Sequence, residues 1–161
     1  MEALEILEAD GHKFNSRVIG RMNPKALSPS AKRKLIRLVK SKQIEFTNGY
    51  VDEKILIEAI SASSTVVLPY VNFYVSSNIL STACEFRKKI ITSDIGTIGK
   101  RVVKHDLGTT FRANDAKDLS EKMLNSVKLQ PKLRALQSFS SKHRRIKFKS
   151  LIRESMEKHI K

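Results

Sequence analysis

The residues best suited to hold a charged ligand lie between Pro69 and Asn78. There Tyr70, Asn72, Phe73 and Tyr74 lead into Ser76, Ser77 and Asn78, at the expected start of a helix. A helix N-terminus presents unpaired amides and the positive end of its dipole, which together cradle phosphate. Two hydroxyls and a side-chain amide at that point add further donors. The same three residues also read as ordinary helix capping. Three other loops are candidates for the same rim: Gly20 to Asn23, Asn48 to Asp52 and Ser93 to Gly99.

Sharper motifs fail on spacing. Gly96-Thr97-Ile98-Gly99-Lys100-Arg101 suggests a phosphate-binding P-loop at first sight. That motif needs a glycine where Asp94 stands and a Ser or Thr where Arg101 stands. No G-x-G-x-x-G follows a strand, which argues against a nicotinamide dinucleotide. His12, His105, His143 and His159 are too scattered for spacing to group them, so neither a metal nor a cofactor is expected. Cys84 falls on the core-facing side of an expected helix, where burial explains it better than nucleophilic duty.

The elements that must position these loops alternate between two periodicities. Strands are expected at Phe14–Gly20, Ile44–Thr47, Thr65–Leu68, Lys89–Ser93 and Gly108–Arg112. Thr65–Leu68 is an unbroken apolar run of the kind buried on both faces. Between the strands lie helical patterns. Glu2–Ala9 comes first, ending at Asp10-Gly11. A second opens at Ser28-Pro29, with Ala31, Leu35, Leu38 and Val39 inward. A third is capped by Asp52, with Ile55, Leu56, Ala59 and Ile60 on one side. The fourth runs from Ser76 or Ser77 towards Phe86, and the fifth lies near Ile98–His105. The last is capped by Asn114 or Asp115 and carries Leu119, Met123, Leu124 and Val127. Gln130-Pro131 breaks the pattern before a basic helical tail with Leu133, Leu136, Phe139, Ile146, Leu151 and Ile152 inward. Helical crossovers make the strands parallel. The expectation is an α/β fold with a Rossmann-like doubly wound parallel sheet of about five to six strands. In such a sheet ligands sit outside the carboxyl ends of the strands. The chain opens in a helix, although this class of sheet usually opens with a strand.

Composition narrows the partners. With 161 residues, 40% hydrophobic and 29% charged, the chain suits one globular domain with a short appendage. No apolar run approaches the roughly 20 residues that span a bilayer. The acidic, helical MEALEILEADG is unlike a secretion signal. A lone cysteine fits a reducing cytoplasm. The net charge of +15 is concentrated: Gly11 to Gln43 holds ten Lys or Arg and no acid, and Lys132 to Lys161 holds ten more against Glu154 and Glu157. Two basic surfaces suggest a polyanionic neighbour, or merely a well-solvated exterior. Trp is absent and aromatics are 6%, so nucleic acid is the less favoured partner.

From Asn48 to Gln130 the order of features becomes specific. NGYVDEKILIEAISASSTVVLPY, then SSNILSTACEFRKKIITSDIGTIGKRV, then LGTTFRANDAKDLSEKML resembles the C-terminal, nucleotide-sugar-binding domain of GT-B glycosyltransferases of family 4 (group 1). The resemblance covers residues 2 to about 128 as topology, and is specific in motif from Asn48 to Gly108. It implies that Gly49, Tyr50 and Val51 flank the nucleotide base. Val75-Ser76-Ser77-Asn78 is similar to the family's Gly-Ser-Ser-Gly segment, placing Ser76, Ser77 and Asn78 by the diphosphate. The family's two glutamates, eight residues apart, touch the donor sugar and ribose. Tyr74 and Thr82 stand at those positions here. The family's Gly-Arg…Lys segment belongs in and after a first strand, which has no counterpart in this sequence, and Arg21 and Lys25 are the substitutes in charge.

The resemblance therefore implies the donor-binding half of a retaining glycosyltransferase, with a nucleotide-diphosphate sugar as ligand. Cell-surface polysaccharide or glycan synthesis is the implied setting, cytoplasmic and peripheral on the inner face of the membrane. Residues 1–128 would form the donor domain, with its first strand missing, and 129–161 a basic helical segment. An N-terminal domain or separate chain must supply the acceptor wall, so the isolated chain is expected to be inactive. The alternative is a non-catalytic Rossmann-like module that lost the glutamates and binds a polyanion, either nucleic acid or an anionic membrane.

Overall fold

The computed structural model describes residues 1–20, 27–70 and 78–142. In chain order its elements are α1 (Glu2–Ala9), β1 (Ser16–Gly20), α2 (Pro29–Lys40), β2 (Ile44–Asn48) and α3 (Glu53–Ala62). These are followed by β3 (Thr65–Leu68), α4 (Asn78–Glu85), β4 (Lys89–Ser93), α5 (Gly96–Lys104), β5 (Thr109–Phe111) and α6 (Ala116–Lys128). A further helix, α7, covers 133–142. The caps form as side-chain chemistry dictates. Ser28 accepts from the Ala31 amide at 3.2 Å, Asp52 from Lys54 at 3.0 Å, and Asp115 from Asp118 at 2.9 Å.

Every strand pairing is parallel, but the sheet is divided. β1 pairs with β2, while β3, β4 and β5 form a second sheet. The expected single sheet of five to six strands is therefore two sheets of two and three. Among the described residues no backbone pairing joins β1 to β3. Lys89 on β4 donates through Nζ to the Ser126 carbonyl on α6 at 2.7 Å, which sets Lys89, Ile91 and Ser93 on the α6 side. Ile90 instead joins Val66 and Leu68 beneath α3, α4, α5 and α7, with Ile60, Leu80, Val102, Leu136 and Phe139 in one core.

The helix α1 packs on α6. Its Glu5 bridges to Lys34 and Arg37 of α2, both at 2.9 Å. So α2, α1 and α6 form one layer, and α3, α4, α5 and α7 the other. With α2 on one face and α3–α5 on the opposite face, right-handed crossovers make the chain wind outward in opposite directions from β1 and from β3. The reversal falls between those two strands, and they do not pair.

The division explains burial that the apolar pattern misjudged. Thr65–Leu68 alternates between buried and half-buried residues and is not buried on both faces. Val67 stays half-buried while its register partner Ile91 is fully buried, because β3 has a strand neighbour on one side alone among the described residues. Central β4 is the strand that is covered on both sides. Val39, Ile55, Leu124 and Val127, expected inward, are exposed among the described residues. In α7, Leu136 and Phe139 are buried as expected, whereas Leu133 is exposed. Ile146, Leu151 and Ile152 lie outside the described residues. The fifth helix starts at Gly96, two residues before the expected Ile98.

Candidate functional site

Within the three-stranded sheet the parallel strands bring their carboxyl ends to one rim, and hydrogen bonds to the backbone stiffen it. The Thr92 hydroxyl donates to the Leu68 carbonyl at 3.2 Å and the Ser93 hydroxyl to the Tyr70 carbonyl at 2.6 Å, tying β4 to the end of β3. The Asp94 amide donates to the Phe111 carbonyl at 2.9 Å, and the Asp94 carboxylate accepts from the Ala113 amide at 3.0 Å. The Arg112 amide donates to Asp118 at 2.6 Å. That bond, with Lys122 nearby, holds the Asp118 carboxyl below its ordinary value. The ends of β3, β4 and β5 thus form one cross-tied floor.

Above it opens a cleft of about 430 Å³, bounded by the start of α1, by Lys34 of α2, and by Tyr70, Ser93, Phe111 and Asn114. Its size falls within the roughly 300–1,000 Å³ common for small-molecule sites. Two of its charged side chains are engaged by neighbours outside the cleft. Lys34 lies 2.9 Å from Glu5, which holds its amine above the ordinary value. Asp115 caps α6. The cleft's lysine is thus already engaged by a carboxylate.

Several expected site residues lie outside this cleft. Gly49 follows β2 with φ +126°, a backbone that side-chain-bearing residues rarely adopt, and its amide donates to the Gly20 carbonyl at 3.2 Å. Tyr50 is 97% exposed and Val51 half-buried. Asn78 is the first residue of α4, and the Thr82 hydroxyl donates back to its carbonyl at 3.0 Å. The Thr82 hydroxyl is thereby occupied within its own helix. Tyr74, Ser76, Ser77, Arg21 and Lys25 lie outside the described residues. None of Gly49, Tyr50, Val51, Asn78 and Thr82 lines the cleft.

Sequence reasoning named the Ser93–Gly99 loop as a candidate and Asn114 as a cap. It did not single out Lys34 or Phe111, because only the packing of α1 against α2 and α6 brings them to one opening. The failed P-loop has a packing explanation. A Cβ at Gly99 would stand 2.6 Å from the Ser93 carbonyl oxygen, so glycine there lets α5 seat against the end of β4. Cys84 is buried and its thiol is pushed up to about 12 by desolvation, which leaves it protonated and unreactive. No group of His, Cys, Asp and Glu among the described residues can hold a metal.

No protein-family model matches the chain, and no curated protein does. Among solved structures it is similar to a sucrose-phosphate synthase from Thermosynechococcus elongatus. The TM-score is 0.63 at 18% identity, over 96% of this chain and 42% of that one. The fold is GT-B-like. At this identity the likeness is one of architecture: a Rossmann-like α/β unit spanning less than half of a glycosyltransferase's length. No described helix is long and apolar enough to cross a membrane.

Proposed function

We propose that the chain is the donor-binding half of a retaining GT-B glycosyltransferase and takes a nucleotide-diphosphate sugar at the carboxyl rim of its strands. The observation that carries this reading is that every strand pairing is parallel, and the winding argued above places a switch between β1 and β3. Doubly wound sheets bind ligands outside the carboxyl ends at that switch. The GT-B-like match over 96% of the chain supports it.

In this reading the Gly49 turn, with Tyr50 and Val51, receives the base. Ser76, Ser77 and Asn78 hold the diphosphate at the α4 N-terminus, and Tyr74 and Thr82 border the sugar. As the glycosidic bond breaks, charge gathers on the diphosphate, and fixed cations must meet it. Arg21 and Lys25 are the candidates. A second domain or chain supplies the acceptor wall, without which the cleft stays open to water and transfer is negligible. Replacing Ser76 and Ser77 together by alanine tests the loop. Affinity for UDP- or GDP-sugars should fall by about tenfold, the worth of one or two charge-assisted hydrogen bonds. Unchanged affinity removes the loop from the site.

One observation favours a second reading, a module that binds a polyanion. Lys32, Arg33 and Lys40 on α2 are exposed, and none forms an ion pair among the described residues. Random-sequence RNA that binds more tightly than any sugar nucleotide, with affinity collapsing as salt rises, would favour it.

A further inference from the structure

The helix α2 carries five cations, Lys32, Arg33, Lys34, Arg37 and Lys40, and no acid. Packing divides them into two sets. Lys34 and Arg37 turn towards α1, where each lies 2.9 Å from Glu5, and Arg37 stands 3.5 Å from Glu8. Gln43 also donates to Glu8, at 2.6 Å. Lys32, Arg33 and Lys40 are exposed and form no ion pair among the described residues. Between them stands Ile36, 54% exposed, with Val39 at 39%. Residues three and four apart share a helix face. Lys32 and Lys40 lie one turn before and after Ile36, and Arg33 and Val39 lie three residues to either side. Leu38, on the opposite side, is fully buried. The outward face of α2 is thus a β-branched pair among three cations. At 1.5 Å per residue it runs about 12 Å from Lys32 to Lys40.

This face is unfavourable for a helix standing in water. Lys32 closes a first turn without an acid, at the positive end of the dipole. Arg33 and Arg37 set like charges four residues apart. An anionic surface reverses the sign of both effects. The apolar pair then selects among anionic surfaces. Against a nucleic-acid backbone Ile36 and Val39 meet phosphates and gain nothing, and the face has no aromatic ring on which a base could stack. At a lipid interface the cationic ends stay with headgroup phosphates while the aliphatic side chains enter the acyl boundary.

We propose that the outward face of α2 docks on an anionic membrane surface, with Lys32, Arg33 and Lys40 on lipid phosphates and Ile36 inserted among them. The inference rests on the polyanion reading, which it commits to lipid, and it is independent of donor binding. Each cation near such a surface strengthens partitioning by about fivefold, so the three together contribute about a hundredfold.

The sequence has no tryptophan, so Ile36→Trp gives the full chain a single indole at the centre of the face. Vesicles of equal parts phosphatidylcholine and phosphatidylglycerol should shift its emission to the blue and expose it to quenching by lipids brominated near the headgroup. Phosphatidylcholine alone should do neither. Val103→Trp, at a 67% exposed position on α5, should respond to neither vesicle. In cosedimentation, Lys32→Gln with Arg33→Gln and Lys40→Gln should lower partitioning by about a hundredfold. The control removes the same charge from exposed positions elsewhere: Lys100→Gln with Lys104→Gln and Lys117→Gln. It should lower partitioning by less than about tenfold, because those positions lie off the docking face. An Ile36→Trp indole that stays in water, an equal response from Val103→Trp, or equal losses from the two triple variants overturns the proposal. So does a blue shift with single-stranded RNA and none with vesicles, an outcome that leaves the polyanion reading standing and removes lipid from it. No sugar nucleotide is present, so the result is separate from any failure of donor binding.

Discussion

The Ser93 hydroxyl donates to the Tyr70 carbonyl oxygen across 2.6 Å, joining the exit of β4 to the exit of β3 beside the cleft. Ser93 is 1% exposed, so removing its hydroxyl strands the carbonyl where water replaces the donor poorly. Ser93→Ala should lower unfolding free energy by about 1–3 kcal/mol. Urea denaturation checks the size. A loss within error would mean that Tyr70 finds another partner and that the rim is less fixed than described.

Gly99→Ala should also destabilise, although alanine is the better helix former. The propensity gain is about 1 kcal/mol. Against it, the new Cβ would stand 2.6 Å from the Ser93 carbonyl oxygen and 2.7 Å from the Asp94 carbonyl carbon, both backbone atoms with little room to retreat. Overpacking of this kind costs about 1–3 kcal/mol, so the net effect is a loss. A raised melting temperature would show that α5 can shift away from β4.

Asp118 gives stability a dependence on acid. Its carboxylate accepts from the Arg112 amide at 2.6 Å and stands 3.6 Å from Lys122, and its pKa is lowered from the ordinary 3.8. A carboxyl held low in the folded state contributes stability that is fully present above its unfolded pKa. That contribution is lost as pH falls through the folded value. Asp118→Asn should therefore be less stable than the parent at neutral pH, with the difference shrinking steadily below about pH 4. Melting curves across pH 2–7 check it. A gap that stays constant with pH would assign the effect to packing.

Much of this architecture is legible in residue types. The caps at Ser28, Asp52 and Asp115 sit where hydroxyl and carboxylate side chains meet free amides, and the apolar period separates the helices from the strands. What the sequence hides is non-local. The Val67 run reads as a strand buried on both faces, yet whether a strand has neighbours on both sides depends on backbone pairing far along the chain. Ile55 and Val39 look inward by periodicity, but inward requires a layer to face, and α2 and α3 lie where cover is thin. The candidate site shows the same limit. The Gly49 turn after β2 and the Asn78 helix start are legible from residue type. The opening among Lys34, Phe111 and Ser93 exists only because α1 packs between α2 and α6.

The most direct test of the central claim is an amide chemical-shift titration of the isotope-labelled chain with UDP-glucose and with GDP-mannose, at two salt concentrations. Donor binding predicts weak, saturable shifts at Gly49, Tyr50, Val51 and Asn78 with one of the two, largely retained at the higher salt, and no sugar transfer by the chain alone. Shifts confined to the Lys32–Lys40 face that vanish with salt would contradict it, as would robust turnover without a partner.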